Sequence, residues 1–368
     1  MSAPSTQVLK GSTLIYRNFD VAEEIDLPSV ERILASGTRV KLSRGNQYAL
    51  FMRDAPLRVA LGNVELKIGE KKVTAQAQAT VWDYGAFSIL FQVPIEVPMS
   101  GSDFVNWASL IQGDESKSQV IDSIARKMAQ DLASALAPAL KRASDSTLFE
   151  DYVIYFLESV SGIEKASEVL DALDVPAILL GESKDVLSKQ SKNSILENVF
   201  QYSENDLVAI DWNSALVYEP SGLRDIPDVL EFAVSHLLEL RYYDDLIDRR
   251  LSELYDAVEA ERHGLWRTRF SALSREANTR YLEFSEFVEK VDNSLKVVGD
   301  FYLATIFRGA TRRFRIQDWQ TSIARKLTLL SRLSELLQGE INVRADHTME
   351  LVVIVLIAFE LISALFRH

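Results

Sequence analysis

Three carboxylates crowd the stretch Tyr242-Tyr243-Asp244-Asp245-Leu246-Ile247-Asp248. On a helix, positions 244, 245 and 248 fall near one face. An Asp-Asp-x-x-Asp turn of this kind can hold magnesium against a diphosphate. No second acidic motif faces it, and Arg241, Arg249 and Arg250 adjoin it. The favoured reading is a solvated face of ion pairs. Asp244, Asp245 and Asp248 are kept as a weak metal-site candidate, and no catalytic residue and no cofactor is assigned. Other chemistry is thinner still. There is no cysteine, which excludes thiol catalysis and Cys-based metal sites. His236 with Glu239, and His347 with Asp346, lack a third ligand in sequence. Gly181-Glu182-Ser183 is not a nucleophile elbow, which needs Gly-x-Ser-x-Gly.

The second singular pair of carboxylates is Glu350 and Glu360. Between them Leu351 to Phe359 is nine consecutive apolar residues, and a second apolar run continues to Phe366. Ten residues advance a helix by about 1,000°, so the two Glu lie about 80° apart with no polar face between them. That pattern points to a membrane-spanning or self-packing helix, with Glu350, Leu351, Leu356, Glu360 and Phe366 as its marker positions. A charge at mid-bilayer costs about 2.5–3.5 kcal/mol. Glu360 therefore calls for protonation, a partner helix or a water-filled lumen. Leu351 to Phe366 would rise about 24 Å against a hydrocarbon core of about 30 Å. So short a span suits a helix packed against copies of itself.

Arg308, Arg312, Arg313 and Arg315 alternate with Phe307 and Phe314, a combination suited to anionic lipid head groups or to phosphates. The plainer alternative is a hairpin turn around Gly309 with exposed arginines. The net charge is −13, yet Arg262 to Arg332 carries fourteen Lys/Arg against seven Asp/Glu, a net +7 that leaves −20 elsewhere. An acidic body makes nucleic acid an unexpected partner. A positive excess just ahead of an apolar run is expected on the cytoplasmic side. The polar N-terminus, Met-Ser-Ala-Pro-Ser-Thr, lacks the features of a secretory signal, which again places the body in the cytoplasm.

The elements that must position these residues divide into four regions. Residues 1–100 are strand-rich: a strand over Thr13–Asn18, a short helix over Pro28–Leu34, strands Leu57–Leu61 and Val64–Ile68 around a Gly62-Asn63 turn, then Val73–Trp82 and Ala86–Val93. Residues 101–220 supply a helix over Asp103–Ile111 and a longer one over Glu115–Arg142 that Pro138 kinks or ends. They also supply a buried strand over Asp151–Val160, helical pieces around Pro176, and strands Asp206–Asp211 and Ala215–Tyr218, ending the body near Pro220. Residues 221–347 are long helices in a hairpin or coiled-coil-like stalk. Their last stripe includes Ile316, Trp319, Ile323, Leu327, Leu330 and Leu337 at three- and four-residue steps, and is expected to be an oligomer seam. Residues 348–368 form the apolar helix. The fold class is α+β.

Thr80-Val81-Trp82-Asp83-Tyr84-Gly85-Ala86-Phe87-Ser88-Ile89-Leu90-Phe91, with Met349-Glu350 and the apolar run to Glu360, resembles the family named for "required for meiotic nuclear division". Asp83, Tyr84 and Gly85 carry its strand motif. The resemblance implies a membrane-attached, oligomeric protein without known catalytic residues. The resulting expectation is a non-enzymatic, membrane-anchored oligomeric scaffold, with itself, membrane lipid and a further protein as candidate partners. Two alternatives stand beside it: a soluble homo-oligomer whose terminal helices form a buried bundle, and a magnesium-dependent enzyme using Asp244, Asp245 and Asp248.

Overall fold

The structure, a computed structural model, describes residues 6–34, 55–112, 115–144, 146–183, 186–260, 301–333 and 353–357, with the backbone at 38–39, 42–43 and 49–50 and positions 279, 282 and 284–286. The chain is α+β, as expected, and divides into two compact units. The first is Met1–Tyr242 with Lys290–Gln317, so it runs well past Pro220; the second is Tyr243–Glu289 with Asp318–His368.

The first unit is built on one long strand, β1 (Gln7–Asp20), which extends the expected Thr13–Asn18 at both ends. It pairs antiparallel with β11 (Phe149–Val160) on one side and β8 (Ala86–Pro94) on the other. The sheet runs β12 (Val199–Phe200), β13 (Leu207–Ile210), β14 (Ser214–Tyr218), β11, β1, β8, β7 (Lys71–Val81), β6 (Leu57–Ile68), β3 (Thr38–Arg39), with β9 (Met99–Ser100) also on β1. Two small pairs lie outside it, β2 (Ala22–Ile25) with β10 (Leu140–Ala143) and β4 (Leu42–Ser43) with β5 (Ala49–Leu50). Only β11–β14 is parallel among the described pairings. From Ser12 on, every residue of β1 is buried, because both faces of the sheet are covered.

One face carries α2 (Gly101–Gln112), α3 (Glu115–Ala135) and α5 (Val175–Leu180), whose buried side chains join Ile15, Phe19, Phe87 and Phe91 in one core. Polar ties fix these helices. Trp107 Nε1 donates to Thr13 Oγ1 at 2.9 Å, and the buried Arg17 donates from Nε to Asp122 Oδ1 at 2.6 Å. The shorter helices α1 (Leu27–Ile33), α4 (Val169–Ala172) and α6 (Lys189–Leu196) lie between these elements in the chain. The other face carries the first half of α7 (Asp225–Ala260) and α8 (Phe301–Arg313). Ile226, Val229, Leu230, Phe232, Ala233, Val234, Leu237, Leu238 and Leu240 are all buried. A helix segment that buries this many apolar residues has to be enclosed on most of its sides.

Three expectations change, and two elements are new. Gly62-Asn63 is not a hairpin turn. Leu57–Ile68 is one strand, and Gly62, at φ +89°, opens a bulge where the register with β7 skips between Ala60 and Gly62. The turn comes later, at Gly69, where φ is +61°. The long helix stops at Ala135, and Pro138 lies in a short 3-10 turn that leads into β10. Gly309 is not at a turn but inside α8, where the Phe200 ring packs so close that a Cβ would lie 2.4 Å from it. The chain turns instead at Phe314-Arg315. Finally α6 and β12 were not foreseen, because a polar eight-residue helix and a two-residue strand leave no periodic signal.

The Asp83-Tyr84-Gly85 motif is the β7–β8 turn. Gly85 has φ +99°, and its carbonyl accepts from Val21 N at 2.9 Å and Ala22 N at 3.2 Å. Asp83 O accepts from Ile25 N at 2.8 Å. The turn therefore holds β2 in place. A Cβ at Gly85 would lie 1.7 Å from Ala22 O, whereas one at Gly62 meets nothing within 4 Å. Gly62→Ala should then cost about 1–2 kcal/mol for its backbone conformation alone. Gly85→Ala should cost roughly 4 kcal/mol or prevent folding. Urea denaturation of the two variants checks the order; equal costs would contradict this account of the turn.

Candidate functional site

The sequence candidates that fall within the described residues each have a definite place. In the second unit Lys326 Nζ sits between Asp244 Oδ1 and Asp248 Oδ2, at 2.7 Å from each, and Asp245 Oδ2 pairs with Arg249 at 2.7 Å. A lysine ammonium thus holds the position a cation would take. No group of three or more His, Asp or Glu side chains among the described residues is placed to hold a metal ion. The helix over 316–333 buries Ile323, Leu327 and Leu330 within a single chain and leaves Trp319 half-buried. These three are thus not an open seam for a second copy, as the oligomer reading required. Their spacing marks an apolar helix face without saying what covers it, and the chain itself does. Leu337 lies outside the described residues, as do Glu350, Leu351, Glu360 and Phe366.

Of the arginines, Arg313 is structural. Its Nε donates to the buried Asp211 Oδ1 at 2.9 Å, with a second contact from Nη2. Arg308 lies over the Phe301 ring at 5.8 Å, and Arg308, Arg312 and Arg315 are exposed. Leu356 lies in a described helical stretch, 353–357, in which all five residues are 51–64% exposed. Among the described residues no helix is long and apolar enough to cross a membrane.

What sequence reasoning missed is a polar seam on the inner face of α7. Glu231, Ser235 and Glu239 recur at four-residue steps, so they line one side of the helix. That spacing reads as a solvent face until the sheet is in place. Glu231 and Glu239 are only 2% and 4% exposed, and Ser235 and His236 are buried. Arg58 Nη2 on β6 reaches Asp228 Oδ1 at 2.8 Å and Glu231 Oε2 at 3.4 Å, and the nearby Thr80 and Ser88 hydroxyls oppose the rise in the Glu231 pKa. One turn on, Tyr84 Oη and Ser235 Oγ share a hydrogen bond at 2.6 Å, while Trp82 packs on Phe232. Trp82 Nε1 also donates to Ser88 Oγ at 3.1 Å, and Ser88 in turn donates to Asn18. Beyond these, Glu239 is closed in with Asp20, Asp83 and Glu23, and Arg241 pairs with the buried Glu150.

The electrostatics follow from enclosure. Burial pushes Glu231 up to about 7, outweighing the opposing field of Arg58. Burial also pushes Glu150 up to about 7 against Arg241. Glu239 is raised well above the usual carboxyl range by burial first and then by Asp20, Asp83 and Glu23. Burial lowers His236 to about 3, so it stays neutral between the Phe232 and Phe307 rings. A carboxyl near 7 suits general acid–base work, but a substrate must reach it, and the seam is shut. An open groove of about 500 Å³ lies elsewhere, lined by Glu164, Asp206 and Glu219 among others. Two of its carboxylates are engaged by their own loops. Asp206 accepts from Ser203 N at 2.8 Å and Ser203 Oγ at 2.7 Å, and Glu219 accepts from Ser221 Oγ at 2.7 Å.

The sheet half of this seam lies within a known family. Residues 10–225 match the family model described as "Uncharacterized protein MJ0711, N-terminal domain". The chain belongs to that family. The match takes in the Asp83-Tyr84-Gly85 turn and Arg58, and ends where α7 begins. A relative, the uncharacterized protein MJ0711 of Methanocaldococcus jannaschii, is 20% identical over 227 residues, covering 61% of this chain and 69% of that protein. No solved structure matches. Nothing in these matches links the chain to the family named for meiotic nuclear division.

Carboxyls raised in the folded state make stability fall as pH rises. Glu150 and Glu231 keep their protons to about 7 when folded but lose them near 4.5 when unfolded. Their contribution is full below pH 4.5 and lost as pH passes 7. Asp206, which is lowered, acts only below that window, while His236, held at about 3, opposes the trend by about 2 kcal/mol between pH 5 and 6.5 without reversing it. The protein should therefore be more stable to urea at pH 5 than at pH 8. Glu231→Gln should reduce that difference by about 2 kcal/mol. An unchanged pH slope in the variant would contradict the assignment.

Proposed function

We propose that this protein is a non-enzymatic, membrane-anchored, self-associating scaffold with its α+β unit in the cytoplasm. The observation that carries the reading is Val353–Ile357. Five consecutive apolar residues in a helix, each more than half exposed, present apolar surface on every side. Exposed apolar surface of that kind marks an interaction site, and each fully buried aliphatic side chain gains about 1.5–3 kcal/mol. In sequence the stretch continues on both sides as the apolar run 351–359, which lengthens the surface to be covered. The +7 segment ahead of it supports a cytoplasmic orientation. The resemblance to the meiotic nuclear division family, carried by Asp83-Tyr84-Gly85 and the Glu350/Glu360 spacing, implies attachment and self-association and agrees with it. The lysine among Asp244 and Asp248 speaks for structure over metal chemistry there.

Glu360 favours a second reading, a homo-oligomer whose apolar helices bury one another away from lipid, because a carboxylate is costly in a bilayer. Fractionation of lysed cells separates the two. The proposal expects the protein in the membrane pellet, resistant to high salt and released by detergent, and expects Leu356→Lys to shift most of it to the supernatant. Wild-type protein in the supernatant as a multimer would overturn anchoring in favour of the buried bundle.

A further inference from the structure

We infer that the outer face of α8, with the aromatic rings at its two ends, is a docking surface for an anionic bilayer. This rests on the membrane reading above and adds a named contact of the first unit with lipid. α8, Phe301–Arg313, contains three arginines and no acidic residue. Phe301, Arg308 and Arg312 recur at seven and then four residues, so they share the helix's outer side. Arg308 and Arg312 are exposed, and Arg315 follows, also exposed, at the turn.

Aromatic rings stand at both ends of this basic stripe. Phe301 opens the helix 78% exposed, and Tyr202, 67% exposed, lies 5.3 Å from the Tyr302 ring beside it. At the far end Trp212, 43% exposed, meets the buried Phe314 ring edge-on at 6.4 Å. The turn that carries Trp212 is fixed rather than loose. Its neighbour Asp211 is held by Arg313, and Tyr152 Oη donates to Ser214 O at 2.9 Å. Three large aromatics are thus displayed outward although the chain has a core to receive them.

Rings with an apolar body and a polar edge settle at the head-group level of a bilayer, and arginines beside them meet lipid phosphates. The helix is about 20 Å long, a straight edge suited to a flat surface. The same composition can stack and neutralise single-stranded RNA. Lipid is favoured because the chain also presents the exposed apolar helix Val353–Ile357, which RNA cannot cover.

The test uses full-length purified protein and flotation with vesicles of phosphatidylcholine alone, or of phosphatidylcholine with about a third phosphatidylserine. Binding should be at least tenfold tighter to the anionic vesicles. Arg308→Ala with Arg312→Ala, both at exposed sites, should erase most of that gain, about fivefold for each arginine. Trp212→Ser should weaken binding to both vesicle types. Equal binding to neutral and anionic vesicles overturns the docking surface and leaves the anchor standing. Binding to anionic vesicles only, lost in the double variant, upholds the surface and removes the anchor. Binding to neither overturns both. If polyuridine RNA competes the protein off anionic vesicles at equal phosphate concentration, the assignment to lipid is overturned.

Discussion

Polar groups that water cannot reach must find a partner or give up their charge, and the first unit is arranged around that constraint. The inner side of α7 brings Glu231, Ser235 and Glu239 against a sheet that answers with Arg58 and Tyr84. An unpaired buried charge would destabilise this unit by several kcal/mol. The seam meets that cost partly by pairing Glu231 with Arg58 and partly through burial that raises the pKa of Glu231 and Glu239 and so favours their neutral forms. It also fixes the register of α7 on the sheet, because sliding the helix by one residue would face apolar side chains to Arg58 and Tyr84. An apolar interface would tolerate such a slip far better.

The strand motif gains its meaning from this contact. Gly85 is required by the approach of β2, Tyr84 reaches Ser235 across the seam, and Asp83 adds to the burial that raises the Glu239 pKa. Three adjacent residues thus tie a hairpin turn, a neighbouring strand and a helix together. The family match covers the sheet side of the arrangement, and nothing about a reaction follows from it.

Much of the fold is legible in the residues. Alternation in Val73–Trp82, the break at Asp83-Tyr84-Gly85 and the apolar Tyr152–Leu157 mark strands that the structure contains. Pro138 ends its helix as proline must. Gly62 misleads because a glycine flanked by apolar runs serves a bulge as well as a turn, and only pairing with β7 separates them. The seam was illegible for a similar reason. Four-residue spacing of Glu, Ser and Glu describes an amphipathic surface helix, and only the sheet converts that face into an interior one. Ile323, Leu327 and Leu330 show the converse, an apolar face correctly located whose covering surface is the chain itself.

The two halves of the functional picture rest on different physics. The first unit encloses Glu231 and Glu239 between α7 and the sheet. The apolar turn at Val353–Ile357 does the opposite and exposes what folding normally hides. The protonation state of Glu239 tests the closed seam most directly. Infrared spectra of the folded protein at pH 7, compared with Glu239→Gln, should show a protonated carboxyl band that the variant lacks. A carboxylate band lost in its place would show Glu239 charged and would contradict a seam sealed from water.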